Sequence, residues 1–483
     1  MKRIAYQFLA AISWLALLTN AASVATAETR PRYGGTLRVM LQSTPAALEI
    51  PANPTPAEYW DLARTLSLIG DTLITLDAQD RPQPALAVAW QSDASARHWQ
   101  FTLRRGIKFY DGSIASPAAV VQILAALHPN WIVRATTDSI TIDSDTPIPS
   151  LLAELALPRN LILKRNKDRN DSAIPIGTGA FVVADWQPGK MLKLAANEDS
   201  WAGRPFVDSI AIEFGKPLRD QAIALELDKA DIIEAAPQAV NSSQHNASSS
   251  LPVELLALVF SPNSKPQDPR VREALALAID RKPIQSVLLK GAGEPAATIL
   301  PNWMTGYSAA FSAQANPQRA RSLLDDSRQS APKLSFGLSY DPRDPQAQLI
   351  AERIALNARE AGITVQVSLS GADDIRLMRV VLPSPDPATS LDEAARQLGL
   401  PQPAFQLSHG GSLDDLYQAE KNLLDGYNVI PLFHLPVANA ASAHVRDWQP
   451  DRLGQWNGPG ASLADIWLAD LHPIGPQPVA AAR

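Results

Sequence analysis

Cysteine is absent from all 483 residues. That absence excludes disulfides, thiolate nucleophiles and zinc–thiolate sites, and it leaves no residue to carry the lipid of a bacterial lipoprotein. Basic charge is also in short supply. Lys and Arg total 43 against 49 Asp and Glu, a formal net charge of −6, so nothing resembles the basic footprint of a nucleic-acid binder. The densest basic run, 164–169, is broken by Asp168 and reads as a solvated loop. Beyond the first 27 residues no apolar run approaches the length of a membrane span. The seven histidines are scattered, and none pairs at the i, i+3 or i, i+4 spacing that favours a metal site. Neither a nucleophile elbow (Gly-x-Ser-x-Gly) nor a phosphate loop ending in Lys-Ser or Lys-Thr occurs.

What is present begins with a leader. Lys2 and Arg3 precede an apolar run from Phe8 to Leu18, and Ala25-Thr26-Ala27 forms a small-residue cleavage pattern before Glu28. Residues 1–27 therefore read as a secretory signal peptide. Removing its two basic residues leaves 41 basic and 49 acidic, a mature charge of −8. The length predicts two or three domains, and 40 prolines predict many punctuated loops rather than coiled coils.

Short alternating runs mark strands at 37–41, 99–103 and 139–143. Ser116 before Pro117 and Asp268 before Pro269 mark helix starts. The clearest unit lies at 333–369. A strand through Leu334, Phe336 and Leu338 is followed by a helix from Gln346 to Ala361. A second strand then runs through Ile363, Val365, Val367 and Leu369. A strand–helix–strand unit of this length implies parallel pairing in an α/β domain, with ligands beyond the carboxyl ends of the strands. That places the segment 339–345 at a candidate ligand face. The polar stretch 241–250 reads as a surface loop. His434, within Leu-Phe-His-Leu, reads as a hinge or core histidine, and Trp99 and Trp186 as core residues on strands.

The segment 174–186, IPIGTGAFVVADW, first suggests a phosphate cradle. A cradle needs a helix after the glycines, whereas Phe181 to Trp186 is β-branched and aromatic and reads as a strand. Gly177 and Gly179 are expected to shape a tight corner instead.

Six segments then occur in a recognisable order. They are 34–39 (GGTLRV), 99–112 (WQFTLRRGIKFYDG), 175–181 (PIGTGAF), 197–201 (NEDSW), 268–281 (DPRVREALALAIDR) and 430–433 (IPLF). Together they resemble the family 5 extracellular solute-binding proteins of ABC importers, whose members bind oligopeptides, dipeptides or nickel. The resemblance covers about 33 to 470. It implies an α/β, two-lobe periplasmic-binding-protein fold with a hinge, the larger lobe made of two subdomains. Lobe 1 would span 28–257 and be completed by 437–472, and lobe 2 would span 258–436, leaving a tail at 473–483. Crossovers would lie near 259–261 and 431–433.

The resemblance implies a monomeric, periplasmic binding component that closes on a peptide or peptide-like solute and delivers it to a membrane permease. No cofactor, nucleic acid or catalysis is expected. A nickel or metal-chelate binder of the same family is the alternative, and a periplasmic hydrolase the alternative of another class. The family's peptide binders carry an aspartate for the ligand's amino group near the position of Pro383, which makes no such ion pair.

The candidate ligand contacts follow from this frame. Tyr340 and Arg343 sit on the predicted ligand face, where Arg343 could grip a carboxylate through two hydrogen bonds or simply sit on an exposed turn. Ser43 and Thr44 end the first strand and could donate to a ligand or to their own turn. Ser384 and Asp386 follow the strand ending at Leu382, and Asp386 before Pro387 also favours a turn. Trp303 could line a cleft from its loop. His409, in Ser-His-Gly-Gly-Ser, is the candidate metal-site or hydrolase residue.

Overall fold

The structure is a computed structural model. It describes residues 31–469 apart from 166–173, 238–245, 263, 265–267, 307–312, 329–334, 345, 370–373, 404–411, 449 and 457–461. From Tyr33 onward the chain forms one compact unit. Its spine is a mixed sheet. In chain order, the strands used below are β1 (Thr36–Met40), β2 (Ala87–Ser92), β3 (His98–Leu103), β4 (Ile132–Ala135), β5 (Ser139–Asp143), β6 (Phe181–Gln187) and β7 (Met191–Ala196). They continue with β8 (Ser209–Glu213), β9 (Ile232–Ala235), β10 (Asn246–Phe260), β11 (Ser335–Tyr340), β12 (Thr364–Ser368), β13 (Ile375–Val381) and β14 (Val429–Ala441). The spine runs β6-β7-β8-β1-β9-β14-β10-β13-β11-β12, with the short strand 294–295 beside β14. A separate sheet, β2-β3-β5-β4, carries its own core around Phe101, Phe109, Ile140 and Ile142.

The expected parallel unit is present. β11 pairs parallel with β12, linked by the helix Ala347–Glu360. That helix buries Ile350, Ala351, Ile354 and Ala358, spaced at three to four residues as one apolar stripe requires. Trp99 is buried on β3, Trp186 packs against the core around Leu37, Phe181 and Leu194, and His434 is a core residue, all as expected.

One reading is corrected. The polar stretch 241–250 is not all loop, because Asn246 to Ser249 pair with Ala438–Ala441 of β14. Their main-chain groups decide the strand, and their side chains need not be apolar. Near the crossovers expected at 259–261 and 431–433, Val259 pairs with Val429 and Leu256 with Phe433, and the register shifts between Leu256 and Ala257, which faces Pro431. The ladder is also irregular from Ser249 to Glu254, where Pro252 faces Pro436. Proline has no N–H to donate, so two facing prolines interrupt the hydrogen bonding of both strands. On one side of this break β14 pairs with β9, and on the other β10 pairs with β13.

The glycines of IPIGTGAF act through close approach. Gly179 donates its N–H to the carbonyl of Ile69 at 2.9 Å. A Cβ on Gly179 would lie 2.7 Å from that oxygen, and one on Gly177 would collide with it. The corner before β6 is thus packed against the end of the helix that carries the site described next, and only glycine lets the two backbones meet.

Candidate functional site

A cavity of about 590 Å³ lies where the two halves of the spine meet. Helix α1 (Pro56–Ile69) enters it by its first two turns. Thr55 caps this helix by accepting from the Glu58 N–H, and Pro56 fills the first position. Residues four apart share a helix face, so Trp60 and Arg64 both reach the cavity wall. Strand β9 contributes Glu234, β10 contributes Glu254, and β13 contributes Arg376 and Arg379. The loop after β11 supplies Asp341, Arg343 and Asp344. The lining thus holds four arginines and four carboxylates among the described residues.

The charges are strongly held. Trp60 Nε1 donates to Glu254 Oε1 at 2.9 Å, and Arg379 Nη1 stands 3.7 Å from Glu254 Oε2. Arg379 Nε is 3.1 Å from Asp344 Oδ2. Burial pushes the Glu254 carboxyl above its ordinary range, against the pull of Arg379. Glu234 accepts from the Gln42 N–H at 2.6 Å and from Gln221 Nε2 at 3.2 Å.

Behind the wall, Arg64 lies between the rings of Trp60 and Trp456 and donates through Nε and Nη2 to the carbonyl of Gly454. Asp61 is fully buried, accepts from the Ser43 N–H, and sits 3.9 Å from Arg64. Its pKa is raised well above the ordinary value by burial first and by Glu234 second.

The sequence candidates distribute unevenly around this cavity. Arg343 lines it, with its guanidinium forked onto Asp341 at 2.8 to 3.2 Å. Tyr340 ends β11 and packs against the core of that half. Ser43 is buried one layer behind, bonded through its N–H to Asp61. Thr44 is exposed next to the Gly189 and Gly215 turns. Trp303 donates to the Pro252 carbonyl at 2.9 Å, under the Arg452 guanidinium, beside the two-proline break. Ser384 is buried and tied to Ser390, while Asp386 caps the helix Pro387–Leu398 through Thr389. None of these but Arg343 lines the cavity. His409 lies outside the described residues. Pro383 offers only its carbonyl, which accepts from Gln455.

Trp60, Arg64, Glu234, Glu254 and Arg379 went unread in the sequence. Two of them carried a signal: Glu254 stands inside the run LPVELLALVF and Arg379 inside LMRVVL. A charge within an apolar strand must find a partner on folding, and these two found each other.

Comparison with known proteins agrees with this geometry. Residues 81–374 match the bacterial extracellular solute-binding proteins, family 5, middle region. The nickel-binding protein NikA of Staphylococcus aureus is 25% identical over 250 residues, covering 50% of this chain and 50% of that protein. The probable di/tripeptide-binding protein 5 of Pseudomonas aeruginosa is 22% identical over 392 residues, covering 70% of this chain and 73% of that one. The chain thus spans about half the length of the first relative and more of the second. In structure, the PBP AgaA of A. tumefaciens R10 in complex with agropinic acid superposes with a TM-score of 0.77 at 19% identity, over 91% of this chain and 99% of that one. The fold is that of the two-lobe periplasmic binding proteins. With the match extending over more than half of its length, the chain belongs to the family 5 bacterial extracellular solute-binding proteins.

Proposed function

We propose that this protein is the periplasmic substrate-binding component of an ABC importer. It is exported by residues 1–27, works as a monomer, binds rather than converts its cargo, and hands that cargo to a membrane permease. Lobe 1 is built from 28–257 and 437–472 and lobe 2 from 258–436, with the Pro252–Pro436 break as the hinge. The cargo is a peptide or peptide-like amino compound.

One observation carries the reading: a cavity of about 590 Å³ whose wall draws charges of both signs from both sides of the break. Arg343, Arg376 and Arg379 offer donors for an anionic group, and Glu234 and Glu254 offer acceptors for a cationic one. A zwitterion such as a short peptide meets both, and the volume lies within the range of small-ligand pockets. Ligand that touches both walls favours the closed form by its extra contacts there, which is how binding becomes closure.

The nickel reading is favoured by a relative's name. Among the described residues no group of three or more His, Asp or Glu could hold an ion. A nickel cargo would therefore rely on the donors of its own chelator, or on residues outside those described such as His409.

The test is a thermal-shift panel of di- to pentapeptides, amino-sugar compounds and nickel chelates on the mature protein. Cargo at a few times its dissociation constant raises the stability by about 1 kcal/mol, and Arg379→Leu abolishes that rise. A shift with nickel chelates alone favours the metal reading. No shift with any class contradicts the proposal.

A further inference from the structure

A second contact ties the two halves together, and neither Arg159 nor Glu393 lines the cavity, although the lining residue Gln397 donates to Glu393. Arg159 follows the helix Leu151–Leu155, whose Leu151 and Leu155 belong to the core of the four-stranded subdomain. Glu393 sits on the helix Pro387–Leu398, which buries Leu391, Ala394, Ala395 and Leu398 in a core of the other half. Arg159 Nη1 donates to Glu393 Oε2 at 2.7 Å across a separation of 234 residues.

The pair is embedded rather than splayed on a surface. Arg159 also forks onto Glu154, its Nε reaching Oε1 at 2.8 Å. Glu393 also accepts from Arg396 Nε at 3.2 Å and from Gln397 at 2.7 Å. The side chain of Glu393 is only 4% exposed. Charges alternate along Glu154, Arg159, Glu393 and Arg396, so the chain of four is neutral. Its ends are local to one half or the other: Glu154–Arg159 is five residues apart and Glu393–Arg396 three. The central bond joins the two halves, and Arg396 Nη1 adds a longer contact of 3.4 Å to the Ala52 carbonyl of the first half.

We propose that Arg159–Glu393 is a latch on the rim of the cleft that sets the open–closed equilibrium independently of cargo. The inference rests on the two-lobe closure proposed above. If the lobes part about the Pro252–Pro436 break, the local pairs survive and the central pair does not. The bond therefore contributes to the closed form alone. Cargo identity is read in the cavity, whereas the readiness to close is set here. Ionic strength would then tune closure even in protein without cargo, because screening weakens a pair that is partly open to solvent.

The absence of cysteine from the sequence makes the test direct. Ala125→Cys and Glu352→Cys, both exposed positions, carry a donor and an acceptor dye on cargo-free full-length mature protein. Single-molecule transfer efficiency then counts open and closed molecules over a sodium chloride titration. Wild type is expected to show two populations whose closed share falls as salt rises. Glu393→Gln and Arg159→Gln each lower the closed-to-open ratio about tenfold at low salt, as expected for loss of a charged hydrogen bond, and flatten its salt dependence. Circular dichroism and the melting temperature check that each variant is folded, and Glu393→Gln carries the test by itself if Arg159→Gln is not. Two populations in wild type with unchanged shares in the folded variants would overturn the latch alone. A single distance in wild type, indifferent to salt, would overturn the latch together with lobe closure.

Discussion

Arg64→Met is expected to destabilise the protein by about 3–5 kcal/mol, the cost of leaving buried carboxylates without their cation. The guanidinium is 2% exposed and faces Asp61, Glu234, Glu254 and Asp451 together. It also fills the space between Trp60 and Trp456 and satisfies the Gly454 carbonyl. Methionine keeps much of the volume and none of the charge. The sign of the pH dependence follows. Without Arg64, the pull that lowers the carboxyls of Asp61, Glu254 and Asp451 is lost, and their native pKa values rise further. A native state that binds more protons than the unfolded state loses stability as pH rises. The deficit of Arg64→Met in urea unfolding should therefore be larger at pH 8 than at pH 5, and adding Asp61→Asn should recover part of it. A deficit below about 1 kcal/mol at both values would mean that the buried charges are not held by this arginine.

The second large effect is a pair of opposed titrations. His434 is buried on β14 with Nε2 against the Ile299 carbonyl at 3.1 Å, and burial lowers its pKa from 6.5 to about 4. The unfolded chain takes up the proton first, so stability is lost as pH falls from 6.5 towards 4, by about 3 kcal/mol in all. Asp451 behaves in the opposite sense. Burial raises its pKa from 3.8 to about 6, despite the N–H groups of Leu453 and Gln455. Its unfolded form ionises first, so stability is lost as pH rises from 3.8 towards 6. In wild type the two slopes largely offset each other. Single variants separate them. Relative to wild type, His434→Gln gains stability towards acid, and Asp451→Asn gains it towards pH 6. Unfolding free energies from pH 4 to 7 are the measurement, and profiles parallel to wild type would contradict both assignments.

Much of the fold was legible because it is written in local patterns. The alternation at 334–338 and 363–369, with an apolar helix stripe between, specified a parallel unit that is present as β11 and β12. The caps at Ser116 and Asp268 are helix starts in the structure, since a Ser or Asp before Pro satisfies the first free N–H groups, whereas Asp386, read as a turn, caps a helix as well. The irregular stretches of the β10–β14 ladder were not legible, because they depend on which residues face each other: Pro252 faces Pro436, and the register shifts again where Ala257 faces Pro431. The candidate site was legible only in the segment 339–345, whose Asp341, Arg343 and Asp344 strand topology placed on the ligand face. Trp60 and Arg64 went unread because a helix stripe does not say which lobe it will face. Glu234 and Asp61 are placed by partners about 190 and 18 residues away, Gln42 and Ser43, and no local pattern encodes those distances.

The central claim is that the two-walled cavity holds a small solute with charges of both signs. Native mass spectrometry of the protein purified from its own host, without denaturation, tests it most directly. The account predicts one stoichiometric adduct of a few hundred daltons that carries both amino and carboxylate groups, present on wild type and missing from Arg379→Leu. Bare protein with no adduct, or an adduct retained in full by Arg379→Leu, would contradict it.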